Sequence, residues 1–144
     1  MNSKFSKGQS LVEVLASLGM VILIVAALVN LVTASLRSSN YAKTASQANK
    51  FAQEGIEWLR SQRDRAVDWD SFKSSVVGTR CLRSFSEGLV TGDCTLTGTI
   101  FKREAVISED GMRLNVKITV KWDDQAGEHT SQVETIFTDT SQWK

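Results

Sequence analysis

The chain has 144 residues, which suits one small domain plus a membrane segment. Its net charge of +1 gives no basic excess of the kind that nucleic-acid-binding proteins carry. Proline is absent, so no residue forbids one very long helix. The two cysteines, Cys81 and Cys94, lie well after the first apolar run, with no neighbouring His and no zinc-like spacing. They favour a disulfide in an oxidising compartment.

The first eight residues form a polar, basic leader that contains Lys4 and Lys7 and ends in Gly8. Glu13 follows five residues later, and then no charged residue occurs from position 14 to position 36. A helix over that span is about 35 Å long, enough to cross a hydrocarbon core of ~30 Å. The lysines predict a cytoplasmic N-terminus and an extracytoplasmic chain beyond Leu36. A carboxylate inside such a segment is costly, which makes it a functional hypothesis.

Three interpretations of this segment compete. The first is a secretory signal peptide cut after the apolar run, near residues 32–34. The second is an uncleaved signal anchor, in which Glu13 is only an interfacial residue. The third is a prepilin leader, cut before the apolar run between Gly8 and Gln9. The run is long for a signal peptide and begins with Glu13, which argues against the first interpretation.

The stretch from Gly8 to Leu18, GQSLVEVLASL, resembles the class III signal of type IV prepilins and pseudopilins. That signal is a basic leader ending in Gly, followed by an apolar segment with Glu at its fifth position. Glu13 is the fifth residue counted from Gln9, and the LVEVL core is most similar to minor pilins of the PilV type. Two departures are Gln9, where the family usually has Phe or Met, and Asn30, where many major pilins have Pro. The resemblance covers the first quarter of the chain.

This resemblance implies a processing and assembly route. A prepilin peptidase would cut between Gly8 and Gln9 and N-methylate Gln9, and glycine suits the cut because it has no Cβ. Glu13 would pair with the freed amine, its own or a neighbour's, and set the register between subunits. The implied protein is a single-pass protein of the cytoplasmic (inner) membrane. Its partners would be other pilin subunits and the pilus or secretion assembly machinery, and it would reach the cell surface in a type IV pilus.

Two alternatives remain open. The same signal serves pseudopilins of type II secretion and competence systems, and a signal-anchored extracytoplasmic binding domain would also carry an apolar helix. We expect no enzyme, cofactor or metal, because no catalytic constellation appears. Asp123, Asp124 and Glu128 lack the full spacing of a calcium loop and predict a solvated turn. His129 predicts a strand-edge residue rather than a catalytic base.

The helix is predicted to continue past the membrane segment, over residues 9–65, with residues 14–36 in the membrane. Small and apolar residues follow one helical face at steps of four and three: Tyr41, Ala45, Ala48, Ala52, Gly55 and Leu59. A break near residues 37–40 is the alternative. Three arginines near the end of this helix, Arg60, Arg63 and Arg65, suit the helix dipole. DNA binding through them is the less favoured interpretation.

The remaining residues, 66–144, predict an extracytoplasmic β head. Trp69 and Phe72 should anchor the connection onto its core, and residues 76–98 should form loops held by a Cys81–Cys94 disulfide. Period-two alternation predicts a strand over residues 112–122, and residues 100–107 and 129–138 are predicted as the neighbouring strands of an antiparallel meander. With the amphipathic half of the helix packed on this antiparallel sheet, the fold class is α+β, similar to type IV pilins.

Overall fold

The structure is a computed structural model that describes residues 9–139, with the backbone alone at residues 9 and 10. Two helices precede four strands: α1 (Gln9–Arg65), α2 (Trp69–Val76), β1 (Gly78–Cys81), β2 (Lys102–Asp110), β3 (Arg113–Asp124) and β4 (Gly127–Thr138). The chain divides into two compact units between Lys43 and Thr44. The helix is continuous, so the predicted alternative of a break near residues 37–40 is wrong.

The second half of α1 buries the predicted small-residue face. Ala48, Ala52 and Leu59 are fully buried, and Gly55 lies in the same row. A Cβ at Gly55 would come within 3.3 Å of Ile118 Cγ2, so the absence of a side chain lets the helix approach the sheet closely. The predicted face is therefore confirmed within the head unit, Thr44–Lys144.

The sheet is antiparallel, with the strand order β1-β2-β3-β4. Each strand follows its neighbour in sequence, and β3 and β4 pair without interruption from Arg113–Thr138 to Asp124–Gly127. The buried face of β3 is the alternating set that the sequence predicts: Leu114, Val116, Ile118, Val120 and Trp122. With the second half of α1 on one face of this sheet, the predicted α+β arrangement is confirmed.

Two elements, α2 and β1, were not predicted. The carboxylate of Asp68 caps α2 by accepting a hydrogen bond of 2.7 Å from the amide of Ser71. On the inner face of α2, the side chains of Phe72 and Val76 are buried. The predicted anchoring by Phe72 is confirmed, and Trp69 packs beside it with ring centroids 5.8 Å apart. The four residues of β1 are too few to show a period, and β1 is defined by its pairing with β2.

We predict that Gly55→Leu lowers the free energy of unfolding of the head by about 1–3 kcal/mol, because the added side chain must displace Ile118 and Arg103. The measurement is chemical denaturation of the purified protein in detergent, followed by the near-ultraviolet signal of its tryptophans. The matched control is Gln47→Leu, at an exposed position of the same helix, which should change stability by less than about 0.5 kcal/mol. Equal effects of the two substitutions would contradict this account of Gly55.

The Asp68 cap predicts a pH dependence. Hydrogen bonds from Ser71 hold the pKa of Asp68 below its ordinary value of 3.8. A lowered folded-state pKa contributes stability that is present above the unfolded pKa and lost as the pH falls through the folded pKa. Asp68→Ala should therefore destabilise the head near neutral pH, and the difference from wild type should shrink as the pH falls below the ordinary carboxyl pKa of 3.8.

The readout for Asp68 is the denaturation midpoint of both proteins across the acid range. Asp123→Ala is the control, since Asp123 is exposed. A destabilisation by Asp68→Ala that is unchanged down to the lowest pH would show that the charge of the cap contributes nothing.

Candidate functional site

The first half of α1 carries an unusual apolar surface. From Leu11 to Leu36 every large apolar side chain is between 52% and 71% exposed within the chain. The helix is long and apolar enough to cross a membrane once. A contiguous apolar surface of this extent needs lipid or other helices around it.

Three polar side chains of this segment bond to their own helix. Ser17, Asn30 and Thr33 each donate to a backbone carbonyl three or four residues earlier: Ser17 Oγ to Val14 O at 2.9 Å, Asn30 Nδ2 to Ala26 O at 3.0 Å and Thr33 Oγ1 to Val29 O at 2.8 Å. Such bonds lower the cost of placing polar groups in hydrocarbon. These residues therefore need no partner from outside the helix.

Glu13 differs from them. It is exposed, lies one turn after Gln9, the first residue of α1, and is the only charged residue of the helix before Arg37. Within residues 9–139, no hydrogen bond or ion pair reaches its carboxylate. Gly8, the predicted cleavage residue, lies outside the described residues, and of Gln9 only the backbone is described. Any partner of this carboxylate lies outside the part of the chain that the structure describes.

The predicted disulfide is confirmed. Cys81 and Cys94 are joined, with 4.6 Å between their Cα atoms. Inside the loop, Cys81 and Val90 exchange backbone hydrogen bonds of 2.7 and 2.9 Å. The segment predicted as loops is thus tied both covalently and by hydrogen bonds. We call residues 81–94 the disulfide loop.

Sequence reasoning missed Arg103, which is only 2% exposed. Its Nε donates to Leu82 O at 2.8 Å and its Nη1 to Phe51 O at 3.0 Å, so it joins the disulfide loop to α1. Its guanidinium also lies 4.8 Å from the ring centroid of Phe85. Burial lowers the pKa of Arg103 to about 10, against the opposing effect of the Glu54 charge, so the group remains cationic at neutral pH.

A sequence signal for Arg103 existed. In the predicted strand over residues 100–107, Arg103 shares its face with Phe101, Ala105 and Ile107, all of which are buried. Period-two alternation thus places an arginine at an inward position. A buried charge needs hydrogen-bond partners, and backbone carbonyls of α1 and the disulfide loop supply them.

The arginines at the end of α1 have acidic neighbours. Arg60 Nη1 lies 2.6 Å from Glu57 Oε1, and Arg63 Nη2 lies 2.8 Å from Asp64 Oδ1. The guanidinium of Arg63 also lies 5.2 Å from the ring centroid of Phe137. These contacts agree with arginines that complement the dipole at the end of α1. That these arginines do not bind DNA stays a prediction.

The β3–β4 turn holds the residues considered for calcium. Asp124 Oδ1 accepts from the Ala126 amide at 2.7 Å and lies 2.9 Å from His129 Nε2, and these contacts lower the pKa of Asp124. His129 lies in the edge strand β4, and its ring stacks on the ring of Trp122 in β3 with the two centroids 5.4 Å apart. In the part of the chain that the structure describes, no group of three His, Cys, Asp or Glu side chains could hold a metal ion.

We predict that Arg103→Lys destabilises the head by about 2 kcal/mol. The single ammonium group of lysine cannot donate to two separate carbonyls and also lie over an aromatic ring, as the planar guanidinium does. The control is Arg113→Lys at an exposed position of β3, which should stay within about 0.5 kcal/mol of wild type. Denaturation midpoints measure both. A loss for Arg103→Lys no larger than for Arg113→Lys would remove Arg103 from its assigned role.

Comparisons with family models, curated proteins and solved structures give no match to this chain. A functional conclusion must therefore come from the chemistry of the residues. Two features are available for it: the exposed apolar half of α1 with its single carboxylate, and the exposed surface of the head.

Proposed function

We propose that the chain is a minor pilin-like subunit that is cut between Gly8 and Gln9 by a prepilin peptidase, N-methylated at Gln9 and assembled into a type IV pilus fibre. The observation that carries the proposal is the position of Glu13. This carboxylate stands five residues after a leader glycine, at the start of an apolar helix, and has no partner within residues 9–139. It acts in assembly, and the protein performs no chemical reaction of its own.

The energetics of Glu13 support this proposal. A carboxylate at the centre of a membrane helix costs about 2.5–3.5 kcal/mol on insertion scales, which is an upper bound for Glu13 at the start of the helix, and pairing with a cation offsets that cost. Cleavage at Gly8 removes Lys4 and Lys7 and creates a new amine at Gln9. That amine, on the same or a neighbouring subunit, is the complementary charge for Glu13. The pair fixes the register of one helix against another.

The exposed apolar surface of α1 supports the same route. Before assembly, lipid covers the surface from Leu11 to Leu36, and after assembly the helices of neighbouring subunits cover it. The internal hydrogen bonds of Ser17, Asn30 and Thr33 make the helix compatible with both environments. The lysines of the leader favour a cytoplasmic N-terminus, and the disulfide favours an extracytoplasmic head.

The experiment expresses the full chain with a prepilin peptidase and a pilus assembly system, then separates sheared fibres from membranes. We expect wild type in the fibre fraction. Glu13→Gln removes the charge while nearly preserving shape, so it should be cut normally but stay in the membrane, with its fibre fraction reduced at least about tenfold, which corresponds to 1.4 kcal/mol.

Ser17→Ala is the matched control one turn further along, because the hydroxyl of Ser17 bonds only within its own helix. It should assemble as wild type does. Assembly of Glu13→Gln at the wild-type level would overturn the proposed role of the carboxylate. If the wild-type chain is cut but enters fibres only when a type II secretion or competence system is supplied, the chain is a pseudopilin of those systems instead.

A further inference from the structure

The head contains an aromatic cleft that the assembly function leaves unused. Two aromatic rings, Trp58 of α1 and Phe85 of the disulfide loop, lie with their centroids 6.4 Å apart and their planes within 14° of parallel. They line an open cleft of about 430 Å³ together with four side chains of α1: Lys50, Gln53, Glu54 and Glu57. We call this site the aromatic cleft.

The aromatic rings of the cleft are held firmly. Phe85 is 44% exposed, yet it rests on the buried guanidinium of Arg103, whose Nε also bonds Leu82 O in the same loop. Gly88, at φ 73°, brings the loop close to Trp58, since a Cβ there would lie 3.7 Å from the indole ring. The disulfide closes the loop. Phe85 is therefore kept at the surface by specific contacts, which preorganises the cleft for a ligand.

The charges of the cleft favour a neutral ligand. On its rim, Glu54 lies 3.9 Å from Lys50, and Glu57 lies 2.6 Å from Arg60, so the carboxylates are balanced by cations. Arg103 already interacts with the Phe85 ring, and a cationic ligand on that ring would meet its positive charge. An anion would have to compete with Glu54 and Glu57 for the rim cations that already pair with them. A neutral ligand avoids both costs.

We propose that the aromatic cleft binds a neutral saccharide. The C–H groups of a sugar ring form an apolar face that stacks on an aromatic ring, and its hydroxyls at the ring edge both donate and accept hydrogen bonds. Trp58 and Phe85 supply the aromatic surface. Gln53, Glu54 and Lys50 supply an amide, a carboxylate and an ammonium at the rim, which together serve both hydrogen-bonding roles. The volume lies within the range of small-molecule sites.

The test uses the full chain, labelled with ¹⁵N, in polyoxyethylene detergent micelles, which carry no sugar headgroup. The probes are cellotriose, maltotriose and N-acetylated chitotriose, titrated separately. The expected result is saturable movement of the Trp58 indole N–H signal by at least one probe, with a Kd of about 1 mM or tighter. The indole signals of Trp69 and Trp122, outside the cleft, should stay in place and serve as internal controls.

Trp58→Leu and Phe85→Leu keep apolar bulk but remove an aromatic ring, and each should weaken binding at least about tenfold, as followed by the backbone amide signals of Gln53 and Glu54 at the cleft. Met112→Ala, at an exposed position in the β2–β3 turn, should bind as wild type does. Unchanged amide signals of the core strand β3 show that a variant is folded. If a variant does not fold, the proposal is still tested in wild type, by comparing the shift of the Trp58 indole signal with the shifts of the Trp69 and Trp122 signals.

The proposal would be overturned if the Trp58 signal did not move with any of the three probes, if all the indole signals moved equally, or if both leucine variants bound as wild type does. Movement of Trp58 with protein concentration rather than with sugar would make the cleft a protein contact and would also overturn it. The proposal concerns the head unit alone, so it stands or falls separately from cleavage at Gly8 and from the role of Glu13.

Discussion

The buried guanidinium of Arg103 is the constraint on which the packing of the head depends. Its side chain bonds a carbonyl of α1 and a carbonyl of the disulfide loop. Its backbone also bonds the loop on both sides, with its amide donating to Cys94 O and its carbonyl accepting from Leu82 N. One residue of β2 thereby joins a helix and a loop that also contact each other through the rings of Trp58 and Phe85. Its close approach to α1 requires the glycine at position 55, whose Cβ would lie 3.4 Å from Arg103 Cδ.

The helix α1 meets two different requirements along one sequence. Its first half is apolar on all sides and long enough to cross a membrane, and Ser17, Asn30 and Thr33 bond to their own helix. Its second half must pack against a sheet, so it concentrates small residues on one face and charges on the other. The change occurs without proline or a break in the helix. Glu13 is the exception in the first half, and that exception carries the proposed function.

The elements with strong periodicity could be predicted from sequence. The long helix and its buried stripe follow from steps of four and three residues, and β3 follows from alternation with a period of two. The strands β2 and β4 were predicted from their places beside turn signals. The helix α2 was missed although Trp69, Phe72 and Val76 recur at steps of three and four after the capping Asp68. The strand β1 could not be predicted, because its four residues are too few to show a period and its pairing with β2 defines it. Strand boundaries also shifted: β2 begins at Lys102 and β4 at Gly127, where the predicted strands begin at 100 and 129.

The candidate sites divide in the same way. The spacing of Glu13 from Gly8 is visible in the sequence, whereas the aromatic cleft is not, because Trp58 and Phe85 come together only when Arg103 and the disulfide place the loop against α1. The central claim is that Glu13 receives its partner when the chain is cut at Gly8. The most direct test is the mass of the mature protein isolated from membranes that contain a prepilin peptidase. A chain that starts at Gln9, with or without one methyl group, is the predicted result, whereas an intact Met1 or a start near Ser35 would contradict the account.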